Sequence, residues 1–167
     1  MKITPLLIGL VGLASLIARA EIQRTDTKES LRGLDGVFVV TQLLDEQPDG
    51  ITTNGVETLV KAALTEAGIP IHAVPKKFNG DANLSVTVDV IKQPQLGVYV
   101  FTVELAVTQD VKLTRLPQGD WSAAETWSRR LQGITSPDRT DVIDQAISKC
   151  VNAFVGEYRA VNPKPGS

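Results

Sequence analysis

The sequence predicts an α+β fold, a two-layer sandwich with two helices on one face of a four- or five-stranded mixed sheet. Two segments repeat apolar residues every three or four positions, as amphipathic helices do. Between them, apolar and polar residues alternate over long stretches, which is typical of half-buried antiparallel strands. An unbroken apolar segment precedes the first helix and indicates a further strand. The predicted element order is β-α-β-β-β-β-α.

The first twenty residues have the layout of a cleavable secretory signal peptide. Lys2 supplies a positive start, and the stretch from residue 3 to residue 18 is almost entirely apolar. This stretch is shorter than the roughly 20 apolar residues that cross a bilayer as a helix. Ala18 and Ala20 provide the small side chains that signal peptidase accepts, so we expect cleavage before Glu21. The alternative is an uncleaved N-terminal anchor.

Export sets where the protein works. A lipoprotein would carry a cysteine directly after the cut, but Glu21 stands there. We therefore expect a periplasmic or secreted protein with no stable membrane anchor after cleavage. The predicted organisation is a signal peptide over 1–20, a flexible N-terminus over 21–30, a single α+β domain over 31–161 and a disordered tail over 162–167. The two flanking segments are polar, and the tail contains prolines.

Composition excludes several classes of function. The chain has a net charge of −2, and cleavage would remove Lys2 and Arg19 but no acidic residue. This acidic balance argues against general nucleic-acid binding, which requires a concentrated positive surface. One cysteine and one histidine leave no internal disulfide and no ordinary zinc site. No glycine-rich phosphate loop follows the first strand, so nucleotide binding has no support and no cofactor is predicted.

The first strand begins at Val37 and extends to about Leu44. Because it is apolar on both faces, we expect it to be central in the sheet. A helix is predicted over 55–67, with Asn54 as the N-cap and Glu57 as its reciprocal partner. Gly68 and Pro70 end this helix, and residues 71–74 form a short strand.

Three strands then form an antiparallel meander. The first runs from Leu84 to Val90, the second from Tyr99 to Leu113 and the third from Ala123 to Leu131, each alternating apolar with polar residues. Trp127 is assigned to the face that meets the helices, where a large aromatic side chain fills the interface. The opposite face of the meander is rich in threonine, so we expect it to be polar and hydrated.

The last helix follows Ser136 or Asp138, either of which is a suitable N-cap, and Pro137 would fit the first helical position. Its apolar stripe consists of Ile143, Ile147, Cys150, Val151, Phe154 and Tyr158. A cysteine on such a stripe behaves as a small buried hydrophobe. We therefore expect Cys150 to be unreactive.

No candidate site combines the residues that catalysis needs. His72 has no nucleophile motif near it in sequence, which favours a structural role. The carboxylate pairs Asp45-Glu46 and Glu104 with Asp110 look like solvated surface charge.

Two further charged groups have simple structural explanations. Arg129 and Arg130 point to opposite sides of one strand and cannot form a single clamp. Asp141 and Asp144 lie where acidic residues offset a helix dipole. The sequence thus assigns no catalytic, cofactor-binding or metal-binding residue.

Several local patterns occur together: Leu31-x-Gly33-Leu34 before the first strand, Ala67-Gly68-Ile69 after the first helix, the long strand Tyr99–Leu113, Thr126-Trp127, and Ala160-Val161-Asn162-Pro163 after the last helix. In this combination the chain resembles an uncharacterised family of small exported bacterial proteins. Its element order is also similar to that of the lipopolysaccharide-assembly lipoprotein and of the amino-terminal domain of the Tol-system propeller protein. The lipoprotein is anchored through a cysteine that this chain lacks.

Two functions are consistent with these observations. The first is a non-enzymatic envelope module for binding or assembly, which would take an envelope protein or a glycolipid on its polar sheet face or on an exposed edge strand. The second is an envelope hydrolase that uses surface carboxylates. A hydrolase requires acids that converge in a concave pocket, whereas a flat sheet face favours the binding module. The sequence leaves the oligomeric state open.

Overall fold

The structure is a computed structural model that describes residues 27–44, 50–75, 81–113, 115 and 121–163. A 3-10 helix over Thr27–Leu31 comes first. The strands and helices follow in chain order as β1 (Gly36–Leu44), α1 (Thr53–Ala67), β2 (Asp81–Gln93), β3 (Val98–Lys112), β4 (Trp121–Thr135) and α2 (Asp141–Val161). Signal residues 1–20, the cleavage position at Glu21 and residues 164–167 lie outside the described residues.

The four strands form one mixed sheet in the order β1-β2-β3-β4. Helix α1 connects β1 to β2, which are parallel, while β2, β3 and β4 are antiparallel neighbours. Both helices pack on the same face of the sheet. The predicted α+β two-layer sandwich and its meander are therefore confirmed. The short strand predicted over 71–74 is reduced to one bridge, in which Ile71 pairs with Val37.

Strand β1 lies at an edge of the sheet, so the expectation of a central strand is wrong. Val37 and Val39 are buried against the helices. Phe38 and Val40 lie on the other face and are partly exposed. A strand with apolar residues on both faces thus does not require a neighbouring strand on each of its two edges.

Helix α1 begins earlier than predicted, because Thr52 is its N-cap. The side-chain oxygen of Thr52 accepts a hydrogen bond from the backbone N–H of Gly55 at 3.0 Å. Asn54 instead lies within the first turn, and Glu57 forms an ion pair with Lys61. The predicted end of the helix is confirmed, since Gly68 adopts a left-handed conformation with φ of 73°.

Helix α2 begins at Asp141, so neither Ser136 nor Asp138 caps it and Pro137 is not its first residue. These residues form the tight connection from β4, in which the Arg139 N–H donates to the carbonyl of Ser136 at 3.0 Å. The hydroxyl of Thr135 closes the same turn by donating to the carbonyl of Arg139 at 2.7 Å. Local hydrogen bonding in this turn competes with an earlier helix start.

The two ends of the described chain are joined by hydrogen bonds close to two of the predicted boundaries. Asn162, assigned to the tail, accepts a hydrogen bond from the Gly33 N–H at 2.6 Å and donates to the Leu31 carbonyl at 2.8 Å. Tyr158 donates to the Leu34 carbonyl at 2.9 Å. Residues 27–30, assigned to a flexible N-terminus, belong to the 3-10 helix that this contact holds. Contacts between residues so distant in sequence leave no local signal.

The core lies between the helices and one face of the sheet. Trp127 is 2% exposed and Phe154 is completely buried, and their rings meet edge to face with centroids 5.4 Å apart. The indole N–H of Trp127 donates to Glu157 at 2.6 Å, which satisfies its polar atom. Cys150 is also completely buried. The predicted core positions of Trp127 and Cys150 are confirmed.

Candidate binding surface

The face of the sheet opposite α1 and α2, here called the open face, carries a row of apolar side chains. The strand register places Ile91 of β2, Val100 of β3 and Ile134 of β4 side by side. Ile91 is 46% exposed and Ile134 is 67% exposed. These three residues are called the apolar row below. Leu44 of β1 extends it diagonally and is 46% exposed.

Polar rows adjoin the apolar row along the strands. The first contains Asp89, Thr102 and Gln132, and the next contains Thr87, Glu104 and Arg130. Gln132 donates a long hydrogen bond of 3.4 Å to Thr102. This part of the open face agrees with the predicted threonine-rich polar surface.

Glu104 and Arg130 form a cross-strand ion pair in the second of these polar rows. One terminal nitrogen of Arg130 contacts both carboxylate oxygens of Glu104, at 2.8 and 2.7 Å. The hydrogen bond to Glu104 raises the pKa of the Arg130 guanidinium further above its ordinary value. Arg130 therefore remains charged, and its side chain is 58% exposed at the edge strand.

The apolar row corrects the expectation that the whole open face is polar. The predicted strands ended at Val90 and Leu131, so Ile91 and Ile134 were not assigned to a face. The alternation in the central part of β3 indicates polar residues, but it does not show which side chains lie beside Val100 on the neighbouring strands. Cross-strand register decides that neighbourhood, and register depends on contacts that are remote in sequence.

The candidate carboxylates do not converge. Glu104 is engaged with Arg130, whereas Asp110 pairs across the sheet with Ala123, six residues further along β3. Asp45 and Glu46 lie outside the described residues. Among the residues that are described, no group of three or more His, Cys, Asp or Glu side chains could hold a metal ion.

His72 has a structural environment beside β1. Its backbone N–H donates to the Val37 carbonyl at 2.9 Å, next to the Ile71 bridge. A Cβ atom added to Gly36 would lie 2.6 Å from Nε2 of His72, so the imidazole packs closely against the strand. The predicted structural interpretation of this histidine agrees with its position.

Three further titratable groups also have structural explanations. Burial raises the pKa of the Cys150 thiol to about 11, which keeps it protonated at neutral pH. Asp141 and Asp144 occupy the first turn of α2, as predicted. The hydrogen bond from Arg139 lowers the pKa of Asp141, and desolvation raises the pKa of Asp144.

A shallow depression of about 150 Å³ lies beside the β2–β3 turn. Lys92, Tyr99 and Pro137 contribute to its walls, and none of the described residues that line it is acidic.

Comparisons with known proteins identify no family for this chain. The sequence matches no known protein-family profile and no curated protein. The crystal structure of a minor lipoprotein from Acinetobacter baumannii is similar, with a TM-score of 0.39 and 10% sequence identity. The match covers 78% of this chain and 95% of that protein. The more specific resemblance to the lipopolysaccharide-assembly lipoprotein and to the Tol-system domain stays a prediction.

None of the helices in the described part of the chain combines the length and the apolar character needed to cross a bilayer.

Proposed function

We propose that this protein is an exported, non-enzymatic module of the cell envelope that binds a partner, an envelope protein or a glycolipid, on its open face. The observation that carries the proposal is the apolar row of Ile91, Val100 and Ile134. Isolated apolar residues are ordinary on protein surfaces, but a continuous exposed group is typical of an interaction site. Here the group spans three neighbouring strands.

The surroundings of the apolar row favour binding over chemistry. A protein interface typically combines an apolar centre with a polar rim. The polar rows that contain Gln132 and Arg130 supply such a rim on the side toward the middle of the sheet. The acids described on this face do not converge, because Glu104 is paired with Arg130 and Asp110 lies six residues further along β3.

Export is the second part of the proposal, and it is tested first. N-terminal sequencing of the protein recovered from outside the cytoplasm should give Glu21 as the first residue. A matched variant with Ala20→Arg should be exported without cleavage or fail to leave the cytoplasm, because signal peptidase requires a small residue there. An intact Met1 on the exported wild-type protein would contradict cleavage.

Binding on the open face is tested by cross-linking in living cells. A photoreactive amino acid placed at Ile91 should give a discrete cross-linked product with an envelope component. The matched control places the same group at Asn152, which is exposed on α2 on the other side of the molecule. Equal products from both positions, or none from Ile91, would contradict the proposed surface.

A further inference from the structure

Each edge of the sheet is covered near the beginning of its strand. At β1, the Val37 N–H donates to the Pro70 carbonyl at 3.0 Å, and the Val37 carbonyl accepts from the His72 N–H at 2.9 Å. The Ile71 bridge thus occupies the start of this edge. Edge strands expose unpaired backbone groups that another chain can use, and natural proteins usually cover or interrupt them.

Among the described residues, strand β4 is covered only near its beginning. The Ser30 hydroxyl of the 3-10 helix donates to the Thr126 carbonyl at 2.9 Å. At the same place a bulge interrupts the β3–β4 ladder, because Val107 pairs with Trp127 and Thr108 with Glu125. Both features end before Ser128.

The rest of β4 turns regularly spaced backbone groups away from the sheet. Backbone groups alternate between the two sides of an antiparallel strand. Since the Thr126 carbonyl points away from β3, the backbone groups of every second residue after it do the same: Ser128, Arg130, Gln132 and Ile134. In the described part of the chain, no backbone-to-backbone hydrogen bond joins these four residues to anything beyond the β3–β4 ladder.

The side chains of these four residues lie on the open face, so each row of the sheet ends at this edge with a distinct chemistry. The apolar row ends at Ile134, the first polar row at Gln132 and the second at Arg130. Glu104 uses one nitrogen of Arg130, and the other N–H groups of this guanidinium have no hydrogen-bond acceptor among the described residues. An added strand would extend all three rows.

We propose that the β4 edge from Ser128 to Ile134 accepts an extended peptide segment of a partner protein as a fifth, antiparallel strand. This inference rests on the proposed function and specifies its partner. Cross-strand pairing favours an apolar residue opposite Ile134, a polar residue opposite Gln132 and an acidic residue opposite Arg130. Read from its N-terminus, the segment has the pattern apolar-x-polar-x-acidic.

A second copy of this chain fits the edge poorly. Antiparallel self-pairing about Gln132 would place Ile134 opposite Arg130, and self-pairing about Arg130 would place two like charges in contact. Only pairing about Ile134 matches apolar residues, and it overlaps few residues at the end of the strand. The edge therefore indicates a different polypeptide.

The test uses the exported protein and the acetylated, amidated peptide Lys-Ile-Val-Thr-Val-Glu-Lys, with affinity measured by calorimetry. In the proposed register Ile, Thr and Glu face Ile134, Gln132 and Arg130. Gln132→Pro removes an outward N–H without touching the β3–β4 ladder and should weaken binding on the order of tenfold. The matched Gln132→Thr should bind as the wild type does.

A chemically modified peptide tests the same backbone hydrogen bonding without changing the protein, so the result does not depend on whether the Gln132→Pro variant folds. Methylation of the threonine backbone nitrogen removes one of the hydrogen bonds to β4 and should also weaken binding on the order of tenfold. Arg130→Gln should weaken it roughly two- to fivefold. Equal affinity for the methylated and unmethylated peptides, or no binding of either, would overturn strand addition.

Two further variants separate this inference from the proposed function. Strand addition predicts that Ile134→Thr weakens peptide binding more than Ile91→Thr, because only Ile134 lies at the edge. Equal losses, with a cross-link still formed at Ile91, would overturn strand addition and leave a partner on the open face. A dimer held through β4 would show that the occupant is a second copy and would also overturn it.

Discussion

The two faces of the same sheet differ in what constrains their residues. On the face under α1 and α2, Val86, Val103 and Leu105 are completely buried. On the open face the neighbouring positions hold Thr87 and Glu104, which are partly exposed. Burial selects residues on the covered face by packing, whereas exposure leaves the open face available for binding. An apolar residue on the covered face therefore fills the core, whereas an apolar residue on the open face can contact a partner.

The largest difference is expected between the two tryptophans. Trp127→Ala should lower the free energy of unfolding by about 3–5 kcal/mol, through lost burial and the cavity left against Phe154. This is a large part of the stability of an ordinary domain. Urea unfolding followed by circular dichroism measures the change.

Trp121→Ala is the matched control for that experiment. Trp121 is 48% exposed, and its ring lies 4.9 Å from the Lys112 ammonium group. Its removal should cost no more than about 1 kcal/mol. Equal effects of the two replacements would show that the contrast between the faces is wrong.

An added methyl group should be costly on the covered face. Gly133 lies beneath Phe101, and a Cβ atom there would be 2.6 Å from the tip of that ring. Because Phe101 is 4% exposed, we expect Gly133→Ala to destabilise the fold by about 1–3 kcal/mol. Gly156 of α2 has open space around it, so Gly156→Ala should stabilise by about 0.5–1 kcal/mol. A thermal unfolding midpoint that rises for both variants would contradict tight packing at Gly133.

Burial of the Cys150 thiol on the covered face should make the stability of the fold depend on pH in the alkaline range. Its pKa is raised to about 11 in the folded protein, from an ordinary value of 9.0, so the folded state retains the proton longer than the unfolded state. The titration of this thiol leaves the free energy of unfolding unchanged below pH 9 and lowers it as the pH rises from 9 to 11. Urea titrations across this range should show that decline, and Cys150→Ala should reduce it. Rapid labelling by a thiol reagent at neutral pH would contradict burial.

The smallest effect is expected from the ion pair on the open face. Arg130 and Glu104 have side chains 58% and 25% exposed, and such pairs contribute roughly 0.2–1 kcal/mol to stability. Glu104→Gln should therefore change the urea midpoint slightly, and by less at high salt. A loss comparable with that of Trp127→Ala would mean that the open face helps to hold the fold.

Much of the architecture could be predicted because its signals are local. Alternation over the meander and the spacing of apolar residues in α2 follow directly from strand and helix geometry. Both patterns placed Trp127 and Cys150 in the core, where the structure has them. Gly68 likewise ended α1, since a left-handed residue is needed at that position.

The candidate site could be predicted only in part. The open face and an exposed edge strand were expected as binding surfaces. The apolar row and the rows that end at Gln132 and Arg130 were missed, since each combines residues from three strands. The N-caps of both helices were also missed, because Thr52 and the turn at Thr135 compete with equally suitable side chains nearby.

The sequence by itself determined the two helices, the meander and the residues that fill the core, because hydrophobic periodicity acts within each segment. Only the tertiary structure decided that β1 lies at an edge and that Asn162 joins the end of α2 to Leu31 and Gly33. It also decided that Ile91, Val100 and Ile134 form one surface. These features depend on strand order, register and contacts between distant residues, and pairing energies of that kind are not encoded in any single stretch of sequence.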